Sequence, residues 1–281
     1  MPQDPAPCRL CGASTRSRFT HTIIKQHTVE YYECLGCHSL QTEEPYWLEQ
    51  AYANDQSVLD VGRAQRNVLV AMVCAYLLER VRVDGNAPCL DWAGAEGLFC
   101  RLMRDRGFNF WLYDKFIRPL YAIPYAVADP LALNPVALTA FEYLEHLAQP
   151  REELGTLFGL KPRLVVATTE LYSGQGEDWH YLSLHSGRHV FFYSSDAMSW
   201  IGAHFGYQYF AFPFVHVFVS NEVWERADLA EAATAIESMY AARESLFADA
   251  ARSLIAHLSN DPWRHVGADF MHLKRTQPGL V

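Results

Sequence analysis

Four cysteines in the first 37 residues, arranged as Cys8-Arg-Leu-Cys11 and Cys34-Leu-Gly-Cys37, constrain the fold of this chain more than any other feature. Each Cys-x-x-Cys turn brings two sulfurs to one point, so two such turns present a tetrahedral ion with four thiolates. The 22 residues between the pairs leave room for a strand-rich excursion through Phe19 to Tyr32, and Gly12 and Gly36 suit the tight turns. Disulfide pairing is the competing reading. The start MPQDPAPC has neither the basic residues nor the apolar run of an export signal, so a cytoplasmic chain with reduced thiols is expected. The expectation is therefore a structural zinc ion on Cys8, Cys11, Cys34 and Cys37, with His21, His27 and His38 as spare donors. A site closed by four thiolates has no open position, which argues for scaffolding over catalysis. Cys74, Cys89 and Cys100 lie in apolar segments and read as small buried hydrophobes.

A metal-held module of some forty residues leaves most of the 281-residue chain to be explained. Half of its residues are hydrophobic, enough for the core of one large domain. The formal charge of −9, with no concentrated basic run, opposes nucleic-acid binding. The longest nearly pure apolar run, Val68 to Leu78, is too short to cross a bilayer. A soluble cytoplasmic protein is the expectation these features leave.

The pattern of apolar residues divides the chain into a module over 1–43, a helical linker or lid over 44–85, an α/β domain over 86–222 and a helical extension over 223–281. Tyr46, Trp47, Tyr52, Val58, Leu59, Val68, Leu69, Met72, Val73, Tyr76 and Leu77 fall largely at helical spacing until Asp84-Gly85. Strands are expected near Cys89 to Trp92, Phe108 to Tyr113, Val136 to Phe141 and Arg163 to Thr168, with helices filling much of the space between them in a mainly parallel sheet. Tyr207 to Phe212 and Val215 to Val219, separated by Pro213, read as a closing antiparallel pair. Asp228 to Leu258, with Ile236, Met239, Tyr240, Leu246 and Phe247, reads as one or two amphipathic helices packed on the domain or on a second subunit, a route to a homo-oligomer.

The segment Leu90-Asp91-Trp92-Ala93-Gly94-Ala95-Glu96-Gly97 reads as a buried strand, a turn of small residues and a helix start, where backbone can approach a ligand closely. After another strand comes Asp114, placed to accept hydrogen bonds from a ribose diol. Together with CRLCG, YYECLGC, EEPYWLEQAY, LDVGRAQRN, AFEYLEHL and SGRHVFFYS, these segments resemble class I S-adenosylmethionine-dependent methyltransferases, in particular bacterial ones with a cysteine-rich zinc-binding front, a group that includes sugar C-methyltransferases. The resemblance implies a Rossmann-like class I sheet behind the small zinc module, a methyltransferase of EC class 2.1.1, and a small-molecule acceptor such as a nucleotide sugar or sugar-derived metabolite. It also implies that Asp91, Ala93, Gly94 and Gly97 cradle the methionine part of S-adenosylmethionine and that Asp114 binds its ribose. Asp129 falls near the adenine, and Phe141 and Glu142 at the mouth of the site. The chain departs from the family's three-glycine turn, having Ala93 and Ala95 before Gly97. Because alanine disfavours positive φ, an impaired, methyltransferase-like binding or scaffold protein is the alternative.

Methyl transfer needs the acceptor aligned with the sulfonium and, for a weak acid, a base. By the resemblance, SGRHVFFYS carries a histidine near the acceptor, which makes His189 the first candidate, with Tyr193 to position the substrate and His146 beside the loop. With 12 histidines in the chain, a hydrogen-bonded structural role is the ordinary alternative for each, and Glu142 and Glu145 read equally well as first-turn acids of a helix. Trp179, Tyr181, Phe191 and Phe192 are candidates to stack on a sugar or to pack in the core.

Overall fold

The computed structural model describes residues 6–53, 61–212, 214–223, 229–241, 271 and 275. Its centre is a six-stranded sheet of β4 (Cys89–Trp92), β5 (Phe110–Tyr113), β6 (Ala137–Phe141), β7 (Leu164–Thr168), β9 (Tyr207–Ala211) and β10 (His216–Ser220). The order is β5-β4-β6-β7-β10-β9. The first four strands run parallel. β10 is antiparallel to both β7 and β9. All six fall on the segments that the sequence marks as strands. A parallel bridge between Leu112 and Ala126 extends the sheet by one residue pair beyond β5.

Two apolar layers cover the sheet, and the alternation along each strand assigns its residues between them. Cys89, Ala137, Leu164, Val166, Val217 and Val219 face a core built with α2 (Arg63–Arg80), α3 (Leu98–Asp105) and α6 (Ala230–Ala241). Leu90, Leu138, Val165, Ala167 and Phe218 face the other core, built with α4 (Pro150–Gly159) and α5 (Ser195–Phe205). β4 and β7 are buried along their whole length, as strands covered on both sides must be.

The helical run expected over 44–83 is two helices, α1 (Leu48–Ala53) and α2. Val58 and Leu59 lie outside the described residues. Beyond α6, the helical reading continuing to Leu258 also lies outside them. Between β5 and β6 the expected α-helix is absent: short 3-10 turns at Ile123–Tyr125 and Pro130–Leu133 make the crossover. Pro124 and Pro130 occupy first-turn positions in these turns, and Pro135 follows the second, so proline punctuates the segment before a longer helix can propagate. No helix among the described residues is long and apolar enough to cross a membrane.

The front module builds a second sheet from β1 (Thr15–Ile23), β2 (His27–Cys34) and β3 (Leu40–Thr42). Its fourth strand, β8 (Phe191–Phe192), comes from the far half of the chain, with Leu40 opposite Phe192 and Gln41 opposite Phe191. Trp47 Nε1 donates to the Gly187 carbonyl at 2.8 Å, and Arg9 Nη2 to the Val190 carbonyl at 2.6 Å. Ser194, whose Oγ caps α5 by accepting from the Ala197 amide at 2.9 Å, donates to the Cys37 carbonyl. The segment 187–194 is thus welded to the cysteine module.

Candidate active site and metal centres

The sulfurs of Cys8, Cys11, Cys34 and Cys37 lie within 4.8 Å of one another. Cys8 and Cys37 are 3.7 Å apart and Cys11 and Cys34 3.4 Å, far beyond a disulfide bond, and all four are free thiols. These spacings suit the edges of a tetrahedron with bonds of about 2.3 Å to a central ion. The amides of Gly36 and Cys37 both donate to Cys34 Sγ at 3.3 Å, stabilising negative charge on that sulfur. A Cβ on Gly36 would come within 2.7 Å of the Ala13 Cβ, so the second turn has no room for a side chain there. His21 and His38 have partners elsewhere, in the Glu177 carbonyl and Asp196, and His27 bonds Gln50.

The second site begins where β4 ends. Ala93, Ala95 and Gly97 all have positive φ, at 56°, 50° and 84°. The turn therefore keeps a left-handed conformation at each alternate position although two of the three residues carry a Cβ. It is held by Ala93 N donating to the Tyr113 carbonyl at 2.7 Å, Gly97 N to the Gly94 carbonyl at 2.9 Å, and Ala95 N to Asp114 Oδ2 at 3.0 Å. Left-handed geometry costs a residue with a Cβ about 1–2 kcal/mol, partly offset on replacement by glycine's greater unfolded freedom of about 0.5–1 kcal/mol. Ala95→Gly is accordingly expected to stabilise the chain by up to ~1 kcal/mol, measurable as a higher urea midpoint at unchanged slope; a lower midpoint would show that the turn is not strained.

Gly94 lies over the Asp91 carboxyl, where a Cβ would sit 2.1 Å from Oδ2. Asp91 is buried; Oδ1 accepts from Thr139 Oγ1 at 2.9 Å, while Oδ2 has no partner among the described residues. Burial pushes this carboxyl up to about 7, against the opposing hydrogen bond from Thr139. The folded chain thus keeps a proton that the unfolded chain releases near 3.8, so this group's contribution to stability falls as pH rises from about 4 to 7. Asp91→Asn should flatten that slope, with a difference on the order of 2–4 kcal/mol between the variants at pH 8 that shrinks below pH 4. Parallel slopes in urea unfolding at pH 5 and pH 8 would contradict it.

Asp114 closes the other side. Its Oδ1 accepts from the amides of Phe116 and Ile117 at 2.8 and 2.7 Å, so the side chain shapes its own turn as well as the alanine turn. Oδ2 accepts only the Ala95 amide among the described hydrogen bonds, and retains a second lone pair. Asp129 caps the 3-10 turn at Pro130 through Leu131 N at 2.9 Å. Arg63, at the start of α2, reaches Glu96 at 2.7 Å and brings that helix over the turn.

Since β4 and β6 are parallel neighbours, the segment after β6 opens on the same edge as this turn. Phe141 packs edge-on against Phe99 of α3 at 4.7 Å. Glu142, itself at φ 48°, accepts from Thr168 Oγ1 at 2.8 Å; desolvation by the groups crowded around it, with the neighbouring Glu145, pushes its carboxyl upward although the residue keeps surface exposure. Glu145 is fully buried and is also pushed up to about 7 by desolvation; Oε1 accepts from Tyr181 Oη at 2.7 Å, and Oε2 has no partner among the described residues. Glu145 is thus a first-turn acid of the 3-10 turn at Leu144–His146 but a buried one, whereas Glu142 keeps its place at the surface. His189 Nδ1 donates to the Tyr181 carbonyl at 2.7 Å, and its ring stands 5.0 Å from that of His146. Desolvation lowers both imidazoles below the usual histidine range.

Tyr193 sits elsewhere. It is fully buried beside Phe191 in the core shared with α5, and its hydroxyl has no partner among the described residues. It has no surface with which to touch a substrate. Trp179, Tyr181 and Phe192 pack on one another, so core packing accounts for the aromatic cluster. Thr168 and Thr169 were not legible as site residues, because hydroxyls at strand ends look like any others in a sequence, and Tyr181 was read for its ring, not for the hydroxyl that holds Glu145.

The match of a family model, described as a methyltransferase domain, to residues 63–211 decides what this arrangement is. The chain belongs to that family. The matched residues carry five of the six strands of the sheet, the alanine turn and the histidine pair together. Among solved structures it is similar to the 1,6-didemethyltoxoflavin-N1-methyltransferase of Burkholderia thailandensis with bound S-adenosylhomocysteine, at 13% identity and a TM-score of 0.46 over 72% of this chain and 98% of the other. It is similar also to magnesium protoporphyrin IX methyltransferase of Synechocystis PCC 6803, at 13% identity and 0.41 over 62% and 93%. A third is CalO1, a methyltransferase in calicheamicin biosynthesis, at 13% identity and 0.37 over 52% and 53%. The chain thus spans about half the length of CalO1. No curated protein matches it.

Proposed function

We propose that the chain is a methyltransferase that takes its methyl group from S-adenosylmethionine and delivers it to a small molecule. The observation that carries this reading is the turn after β4, which keeps left-handed backbone at Ala93, Ala95 and Gly97. The residues around it suit the cofactor: the turn is built of small residues, Gly94 and Gly97 let it lie close against Asp91, Leu112 and Ala122, and Asp114 keeps a lone pair for a ribose hydroxyl. When bound, the sulfonium supplies an electrophilic methyl group. The protein's part is to bind the ends of the donor, orient them and hold the acceptor in line.

On the acceptor side we place His189 and His146, with Phe141 and Glu142 between them and the donor. His189 has its Nδ1 proton fixed on the Tyr181 carbonyl, so Nε2 is the nitrogen left to face an acceptor. A nucleotide sugar or a sugar-derived metabolite is the acceptor class supported by the family resemblance. The four cysteines hold a structural zinc ion, which fixes the module that supplies the strand partner of β8. An impaired scaffold was suggested by the alanines, and the conformation they adopt takes away its basis.

The test is S-adenosylhomocysteine affinity by calorimetry. Asp114→Asn, which keeps the shape of the acid, should weaken binding by about 1–3 kcal/mol, and His189→Ala should leave it within about twofold. Unchanged affinity in Asp114→Asn would remove the acid from the cofactor site.

A further inference from the structure

We propose that Glu145, His146 and His189 form a second metal site, distinct from the cysteine cluster, that takes one divalent first-row transition-metal ion at the acceptor side of the cleft. One ligand atom from each of the three lies within 4.8 Å of the others. Two imidazoles and one carboxylate are a donor set that suits iron, cobalt, nickel or zinc in the divalent state, and three protein ligands leave positions open for water or an acceptor oxygen.

Three observations support a built site over chance proximity. Glu145 is fully buried, and Oε2 has no hydrogen-bond partner, a costly arrangement that a cation would relieve. The other oxygen of the same carboxyl is held by Tyr181 Oη at 2.7 Å, and that hydroxyl lies 3.1 Å from Thr169 Oγ1. His189 directs Nδ1 to the Tyr181 carbonyl at 2.7 Å, the outer contact that fixes the tautomer and aims the lone pair of a ligating imidazole. A single residue, Tyr181, thereby orients two of the three ligands. Both histidines keep some exposure, so an ion has a way in. His146 Nδ1 lies 3.3 Å from Tyr52 Oη, and Arg188, stacked on Tyr52, is a cation that acts on both imidazoles.

The inference rests on the acceptor-side placement of His189 and His146, and changes what they face. An ion in this position would hold an acceptor oxygen directly, which favours acceptors with a hydroxyl or carboxylate over those with an unactivated amine or carbon.

The experiment uses the full chain loaded with one equivalent of zinc, which the four thiolates take first, and titrates it with cobalt(II) by calorimetry. One additional ion per chain is expected. His189→Ala and Glu145→Gln should each weaken it at least tenfold. Arg16→Gln, at an exposed ion pair with Glu33 on β1, should leave it unchanged. Circular dichroism and retention of one zinc per chain check that each variant is folded, and His146→Asn replaces any that is not. Absence of a second ion in the wild type, or equal cobalt affinity in folded His189→Ala and Glu145→Gln, overturns the proposal. S-adenosylhomocysteine binding measured on the same samples separates the two readings: binding of that compound without cobalt sinks only the metal site, and binding of cobalt without it leaves the metal site standing without the transferase reading.

Discussion

Cys34→Ser is expected to release zinc from the cysteine cluster and to unravel the front sheet, with loss of activity even though none of the four clustered cysteines belongs to the cofactor turn. Cys34 is the most heavily committed of the four sulfurs, accepting two amides as well as facing Cys11. Structural zinc contributes about 10–16 kcal/mol in isolated finger peptides, and even part of that is comparable to a domain's whole margin of about 5–15 kcal/mol. The damage should travel, because β3 pairs with β8 and the knuckle carbonyl of Cys37 receives the Ser194 hydroxyl. His189 lies two residues before β8 and loses its anchorage with it. Metal analysis and a thermal scan check this: a variant that keeps its zinc and its melting temperature would contradict the structural role of the cluster.

Gly94→Ala should be the most damaging single-methyl change in the methyltransferase domain. Its Cβ would meet Asp91 Oδ2 at 2.1 Å, Asp91 Cγ at 2.5 Å and Leu112 Cδ1 at 2.7 Å. None of these atoms has room to retreat, since Asp91 and Leu112 are both buried in the sheet beneath the turn. Overpacking of this kind costs about 1–3 kcal/mol, and here the relief available is to lift the turn away from β4. Donor affinity should then fall at least tenfold, near the ~1.4 kcal/mol that such a factor represents. Calorimetry with S-adenosylmethionine, run beside urea unfolding, checks both effects; wild-type values for the two would place Gly94 outside the cofactor turn.

The core strands were legible because a parallel strand buried on both faces is nearly continuous in apolar residues, as in Leu164–Thr168, and few other elements are. The cysteine cluster was legible because metal ligation fixes residue type and spacing together. Other features depend on contacts that no local pattern encodes. The pairing of β3 with β8 joins residues about 150 positions apart, and nothing in LQT or FF announces the partner. The left-handed conformation of Ala93 and Ala95 runs against alanine's own preference, and is imposed by the bonds to Tyr113 and Asp114 on the neighbouring strand. The buried state of Glu145 follows from Tyr181 and Thr169 closing over it, so its charge alone pointed to the surface. Tyr193 was misjudged because its place just after β8, beside Phe191 in the core shared with α5, is set by long-range packing that the local sequence does not show.

The central claim is that a turn with two alanines in glycine positions still binds the methyl donor. Titration calorimetry of the zinc-loaded wild-type chain with S-adenosylmethionine tests it most directly. Saturable binding of one molecule per chain is predicted; the absence of detectable heat with both the donor and S-adenosylhomocysteine, up to millimolar concentration and at two temperatures, would contradict it.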